Sequence, residues 1–136
     1  MWYPETVGDI ELIRRANQAW SQGQWRLVLE TFHRDVEFHD DRALQGETKG
    51  VSGMIRYAES FMGAWTDYEI EFDDPVDAGG GVFYVPWEER AQGRGSGVHV
   101  NQSGATVYWV RDGKIARMHS FHDRSTARRA AGLPLD

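Results

Sequence analysis

Cysteine is absent from the 136-residue chain. That rules out disulfides, thiolate metal sites, iron–sulfur ligation and a cysteine nucleophile together, and leaves the redox compartment open. Positive charge is scarce as well: 15 Lys and Arg against 21 Asp and Glu give a formal net charge of -6. A nucleic acid backbone meets no broad basic surface, so DNA or RNA binding is not expected. No apolar run approaches membrane-spanning length, and the stretch from Met1 to Thr6 carries an acid where a signal peptide places basic residues. The expectation is a soluble, cytoplasmic protein without a membrane partner. Repeats, low-complexity tracts and linkers are missing too, and the length suits one domain over 1–136 with a short extension at 1–8.

Large rings are plentiful: six Trp, five Tyr and six Phe in a chain whose mean hydropathy is -0.59. So many rings in a polar chain imply concentrated apolar surface, in a core, a pocket or an interface. Punctuation comes from glycine. Asp9 can cap a helix whose Ile10, Ile13, Ala16 and Trp20 share a face, and Gly23 ends it; a shorter helix follows over 24–33. Val36, Phe38 and Asp40 then alternate with Glu37 and His39, the period of a strand. After a polar loop over 41–50, Ser52 can cap a helix with Met54, Ala58, Phe61, Met62 and Trp65 along one side.

From Tyr68 the period is two. Strands are predicted over 68–73, 82–92, 98–110 and 115–122, with Asp112-Gly113 as a tight hairpin turn between the last two. Asp123 or Ser125 can cap a terminal helix ending at Gly132. Helices gathered first and strands last mean an α+β fold, with a mostly antiparallel, curved sheet holding the long helices against one face.

Several segments, in this order and spacing, carry a resemblance: Ala19-Trp20-Ser21-Gln22-Gly23, Asp35-Val36-Glu37-Phe38-His39-Asp40, Gly93-Arg94-Gly95-Ser96-Gly97, Val110-Arg111-Asp112-Gly113-Lys114-Ile115 and Asp123-Arg124. The chain resembles the SnoaL-like family of the nuclear transport factor 2-like superfamily, related to polyketide cyclase, ketosteroid isomerase and limonene epoxide hydrolase. The resemblance implies a cone-shaped α+β barrel, its bent sheet wrapped around the N-terminal helices, an internal pocket, and a homodimer formed through the sheet. It does not settle the chemistry, because this scaffold serves enzymes and non-enzymes alike.

Asp40 is the sharpest candidate. Strand parity carries its carboxylate toward the apolar side with Val36 and Phe38, where desolvation favours a usable base, and its position is similar to that of the isomerase's general base. The ordinary alternative is a strand-end Asp that caps the following loop. By the same resemblance, the isomerase's oxyanion-holding tyrosine falls at Ala16 and its protonated aspartic acid at Thr106, which argues against steroid isomerisation of that design. The essential aspartate of the cyclases and epoxide hydrolases falls at Ser120, which argues against those two reactions. His122, two residues on, has a pKa range suited to proton transfer, against the commoner role of a surface histidine.

Trp20, Phe61 and Trp65 on helix faces, with Tyr57, Tyr84 and Tyr108, are candidate ring contacts for a flat ligand, and Gln102, Thr106, Tyr108 and Ser120 converge by parity as neutral polar groups. Val107 and Trp109 take the opposite face, where they suit a dimer interface. No metal site is expected: His119 and His122 face opposite ways, His39 faces away from Asp40, and His119 belongs on the outer face with Arg117. The glycine-rich 93–97 segment opens no helix and reads as a hairpin loop, not a phosphate cradle. Two readings stay open. One is an acid/base enzyme without cofactor, of isomerase, cyclase or dehydratase type, acting on a hydrophobic polycyclic, terpenoid or polyketide-like molecule. The other is a non-catalytic protein that binds such a molecule.

Overall fold

The computed structural model describes residues 5–41 and 47–135; half of the predicted 41–50 loop, the segment before Glu5 and residue 136 lie outside them. In chain order the elements are α1 (Glu5–Ser21), α2 (Trp25–Glu30), β1 (Phe32–Asp40), β2 (Glu47–Lys49), α3 (Gly50–Ala64), β3 (Trp65–Phe72), β4 (Val76–Gly79), β5 (Val82–Gly93), β6 (His99–Arg111), β7 (Lys114–Phe121) and α4 (Arg124–Ala131). One sheet runs β2-β1-β7-β6-β5-β3, with β4 also on β5. Among the described residues only β1 and β7 pair in parallel; the other pairings are antiparallel.

Apolar periodicity explains most of this. Ile13, Ala16 and Ala19 bury the inner face of α1, and Gly23, at a φ of 70°, turns the chain out of it. Asp112 and Gly113 both take positive φ, as a two-residue hairpin requires. Asp123 caps α4, accepting from the Ser125 and Thr126 amides, and Gly132 closes it in the left-handed conformation.

The curved, mostly antiparallel α+β cone is as expected, its sheet open with β2 and β3 at the ends, while finer details differ. Helix α3 starts at Gly50 and not after Ser52, and β2 and β4 add short strands; runs of three and four residues are too brief for periodicity to reveal. Trp65 does not belong to α3. It opens β3, followed by a bulge between Thr66 and Glu69 in which Asp67 takes a φ of 53°, and the extra residue re-aims the strand.

The two faces of the sheet differ. Its inner face packs against the first three helices in a core of Ile13, Val28, Val36, Phe38, Met54, Phe83, Val85 and Ile115 among others. Its outer face carries a second cluster of Tyr84, Ala105, Val107 and Phe121 beneath Ala127 and Ala131 of α4. Val107 is therefore covered within the chain and does not offer the dimer surface anticipated for it, while Trp109 beside it carries the Arg117 guanidinium at 4.7 Å from its ring centre. The parallel register also sets His39 opposite His119, bringing together two histidines that separate strands in sequence had kept apart.

Candidate functional site

The inner face leaves a cavity of about 70 Å³ between the sheet and the helices. Its wall is largely aromatic, and a ladder of rings runs along one side: Phe38 meets Tyr57 edge-on at 4.6 Å, Tyr57 stacks on Phe61 at 5.8 Å, and Phe61 meets Tyr68 edge-on at 5.3 Å. Tyr57 and Phe61 are four apart on α3, so one helix face delivers both. A larger cleft of about 380 Å³ adjoins it, sharing Trp20, Val28, Phe32 and Met54 and continuing to Trp25, Leu29, Ile55 and Met62.

Two carboxylates are buried beside the ring ladder. Asp40, 2% exposed, accepts a hydrogen bond from the Tyr57 hydroxyl at 2.5 Å; Tyr57 lines the cavity and Asp40 does not. Glu89, 7% exposed, borders the cavity itself. It accepts from the Tyr68 hydroxyl at 2.9 Å, and the Trp20 indole donates to Tyr68 at 3.3 Å. The bulge at Asp67 precedes the residue whose hydroxyl makes this contact.

Neutral groups line the remainder. The Trp87 indole donates to the Thr106 hydroxyl at 2.9 Å, which is bonded to that of Ser120 at 2.8 Å. The Tyr108 hydroxyl donates to Asn17 Oδ1 at 2.6 Å, and full burial pushes its pKa up, so it stays a protonated donor. Among the described residues no buried side-chain nitrogen or oxygen lacks a partner. The polar groups are therefore held in place before any ligand arrives.

Of the residues anticipated as ligand contacts, Trp20, Tyr57, Phe61, Thr106, Tyr108 and Ser120 line the cavity. Three do not. Tyr84 sits on the outer face under Arg128 of α4, because it alternates with the inward Phe83 and Val85. Gln102, opposite Glu89 in register, and Trp65, at the helix-to-strand junction, lie outside the lining. His122 is exposed beyond the end of β7, where strand parity no longer governs its direction. Sequence reasoning missed Glu89, Asn17 and Tyr68. Glu89 had a signal: on the strand predicted over 82–92 it shares parity with Phe83, Val85 and Trp87, although charged Glu88 and Arg90 flank it.

Comparison with known proteins bears on the family and the fold. The family profile described as the SnoaL-like domain matches residues 13–118, a span that includes Asp40, Tyr57, Glu89 and Tyr108. The chain belongs to the SnoaL-like family. Among solved structures, this SnoaL-like chain is similar to an NTF2-like protein of unknown function from Burkholderia pseudomallei, with 14% identity over 90% of this chain and 95% of that one and a TM-score of 0.77. It is similar also to a SnoaL-like polyketide cyclase candidate from Jannaschia sp. CCS1, at 19% identity, 98% coverage of both chains and a TM-score of 0.76. A third similar structure is TerC co-crystallised with polyporic acid, at 16% identity, 92% and 98% coverage and a TM-score of 0.75. No curated protein matches. At these identities the likeness establishes the cone fold alone.

Proposed function

We propose that this SnoaL-like protein is a cofactor-independent acid/base catalyst that moves a proton on a ring-bearing, polyketide-like or terpenoid molecule, in an isomerisation, cyclisation or dehydration. The observation that carries the reading is the pair of buried carboxylates, each held by a tyrosine hydroxyl, at an apolar cavity. A protein that only stored apolar molecules would gain little from burying two acids.

Glu89 borders the cavity and takes the role of base. A C–H bond next to a carbonyl breaks, the proton passes to a Glu89 oxygen, the electron pair moves into the carbonyl, and the proton returns at another carbon. Asp40 acts through Tyr57, whose oxygen can receive a proton as its own passes to the carboxylate. A cavity of about 70 Å³ is far below the roughly 300–1,000 Å³ of drug-sized sites, so a substrate of several rings has to occupy the adjoining cleft as well.

The test is deuterium exchange from D2O into the C–H positions beside the carbonyl groups of the compound that copurifies, read by NMR. Exchange is expected with wild type, to fall at least a hundredfold in Glu89→Gln and less in Asp40→Asn. Exchange that persists unchanged in both variants removes the carboxylates from the chemistry. The second reading, a binding protein, is favoured by the closed Trp87, Thr106 and Ser120 chain, which spends its hydroxyls on each other where related enzymes carry acids. A ligand that binds wild type and never exchanges would leave that reading standing.

A further inference from the structure

We propose that His39, Asp41 and His119 form a site for a divalent transition-metal ion, with Zn²⁺ the ion this donor set suits. The site is on the outer side of β1 and β7, and it stands whether or not the cavity is catalytic. His39 Nε2 lies 3.2 Å and His119 Nε2 2.8 Å from the same Asp41 oxygen, Oδ1, and the three donor atoms all lie within 4.8 Å of one another. Metal–nitrogen and metal–oxygen bonds of about 2.0–2.2 Å place neighbouring ligand atoms of a tetrahedral or octahedral ion roughly 2.9–3.4 Å apart. The two carboxylate distances are of that order, so an ion can take the place of a proton shared between Asp41 and the imidazoles.

The backbone builds this triad. The parallel register pairs His39 with His119, their rings meet edge-on at 4.4 Å, and the Asp41 amide donates to the Ser120 carbonyl at 3.1 Å, holding the third ligand at the strand end. His119 is stacked flat on Phe121, 3.8 Å between centres and 13° between planes, which limits its rotation. Two imidazoles and one carboxylate make an intermediate-to-hard donor set that suits Zn²⁺, Co²⁺ or Ni²⁺ better than Ca²⁺ or Mg²⁺, and three protein ligands leave a position for water. Room for that water exists in a cleft of about 220 Å³ lined by Glu37, His39, Arg117 and His119. The Arg117 guanidinium, two residues before His119 on β7, is drawn over Trp109.

The experiment is calorimetric titration of untagged, chelator-stripped protein with ZnCl2 alone at pH 7.5, alongside Co²⁺ absorption spectra. One equivalent is expected, with visible d–d bands for Co²⁺ and a thermal midpoint raised by about 9 °C at a hundredfold excess over the dissociation constant. His39→Gln and Asp41→Asn are each expected to weaken binding at least tenfold, and His99→Gln, a remote exposed histidine, to leave it unchanged. His39→Gln is the cleaner variant, since it leaves the His119 stack on Phe121 intact. No binding, sub-stoichiometric binding, or binding that survives loss of His39 and Asp41 overturns the proposal.

Discussion

The same three strands, β5, β6 and β7, build two unlike interiors. On the outer side Tyr84, Ala105, Val107 and Phe121 meet Ala127 and Ala131 of α4; small residues on the helix let it approach closely, and the space is filled. On the inner side Phe83, Trp87, Tyr108 and the helix rings face one another with Glu89, Thr106 and Ser120 among them. Large rings braced by hydrogen bonds hold a gap open that small side chains would let collapse. Hollowness on one side and density on the other follow from residue size at alternating positions, not from different backbone.

The sharpest way to break this contrast is Gly104→Ala. A Cβ there would overlap the Phe121 carbonyl and the Trp87 ring, and Trp87 in turn holds Thr106. We expect a loss of about 3 kcal/mol, the cost of overpacking without room to relax, read by urea denaturation, together with altered ligand binding. Next, Val107→Ala on the filled side should cost about 2 kcal/mol through the cavity it opens, with ligand affinity unmoved; a change in affinity as large as that of an inner substitution would erase the distinction.

Tyr108→Phe reverses that pattern. It leaves Asn17 Oδ1 without its donor at a cost of about 1 kcal/mol, and ligand binding should shift more than the melting temperature does. The smallest effect belongs to Asp123→Ala at the start of α4. Hydrogen bonds from Thr126 and Ser125 hold the Asp123 carboxyl below its ordinary value. A depressed carboxylate stabilises the fold above its unfolded pKa and loses that contribution as pH falls through the folded value. The wild type should therefore melt slightly above the variant at pH 7, with the gap narrowing on acidification. A gap that is constant with pH would show that the charge on the cap contributes nothing.

Within one strand or helix, much of the site was legible. Parity placed Asp40, Thr106, Tyr108 and Ser120 inward, and helical spacing placed Trp20, Tyr57 and Phe61 on the inner faces, all as observed. Tyr84 and His122 failed for local reasons: one lay on the other side of the pleat and the other past the strand's end. Glu89 was readable by parity, although charged residues flank it.

The chain's own order of residues determined the α+β class, the main helices and strands, the hairpin at Asp112-Gly113 and the inward set, because periodicity and turn chemistry act over a few residues. Only the tertiary structure decided which groups meet: Tyr57 with Asp40, Tyr68 with Glu89, Tyr108 with Asn17, and His39 with His119. Those partners are 17, 21, 91 and 80 positions apart in the sequence. Their meeting depends on strand order, a parallel register and one bulge, which are properties of the assembled sheet and of no single segment.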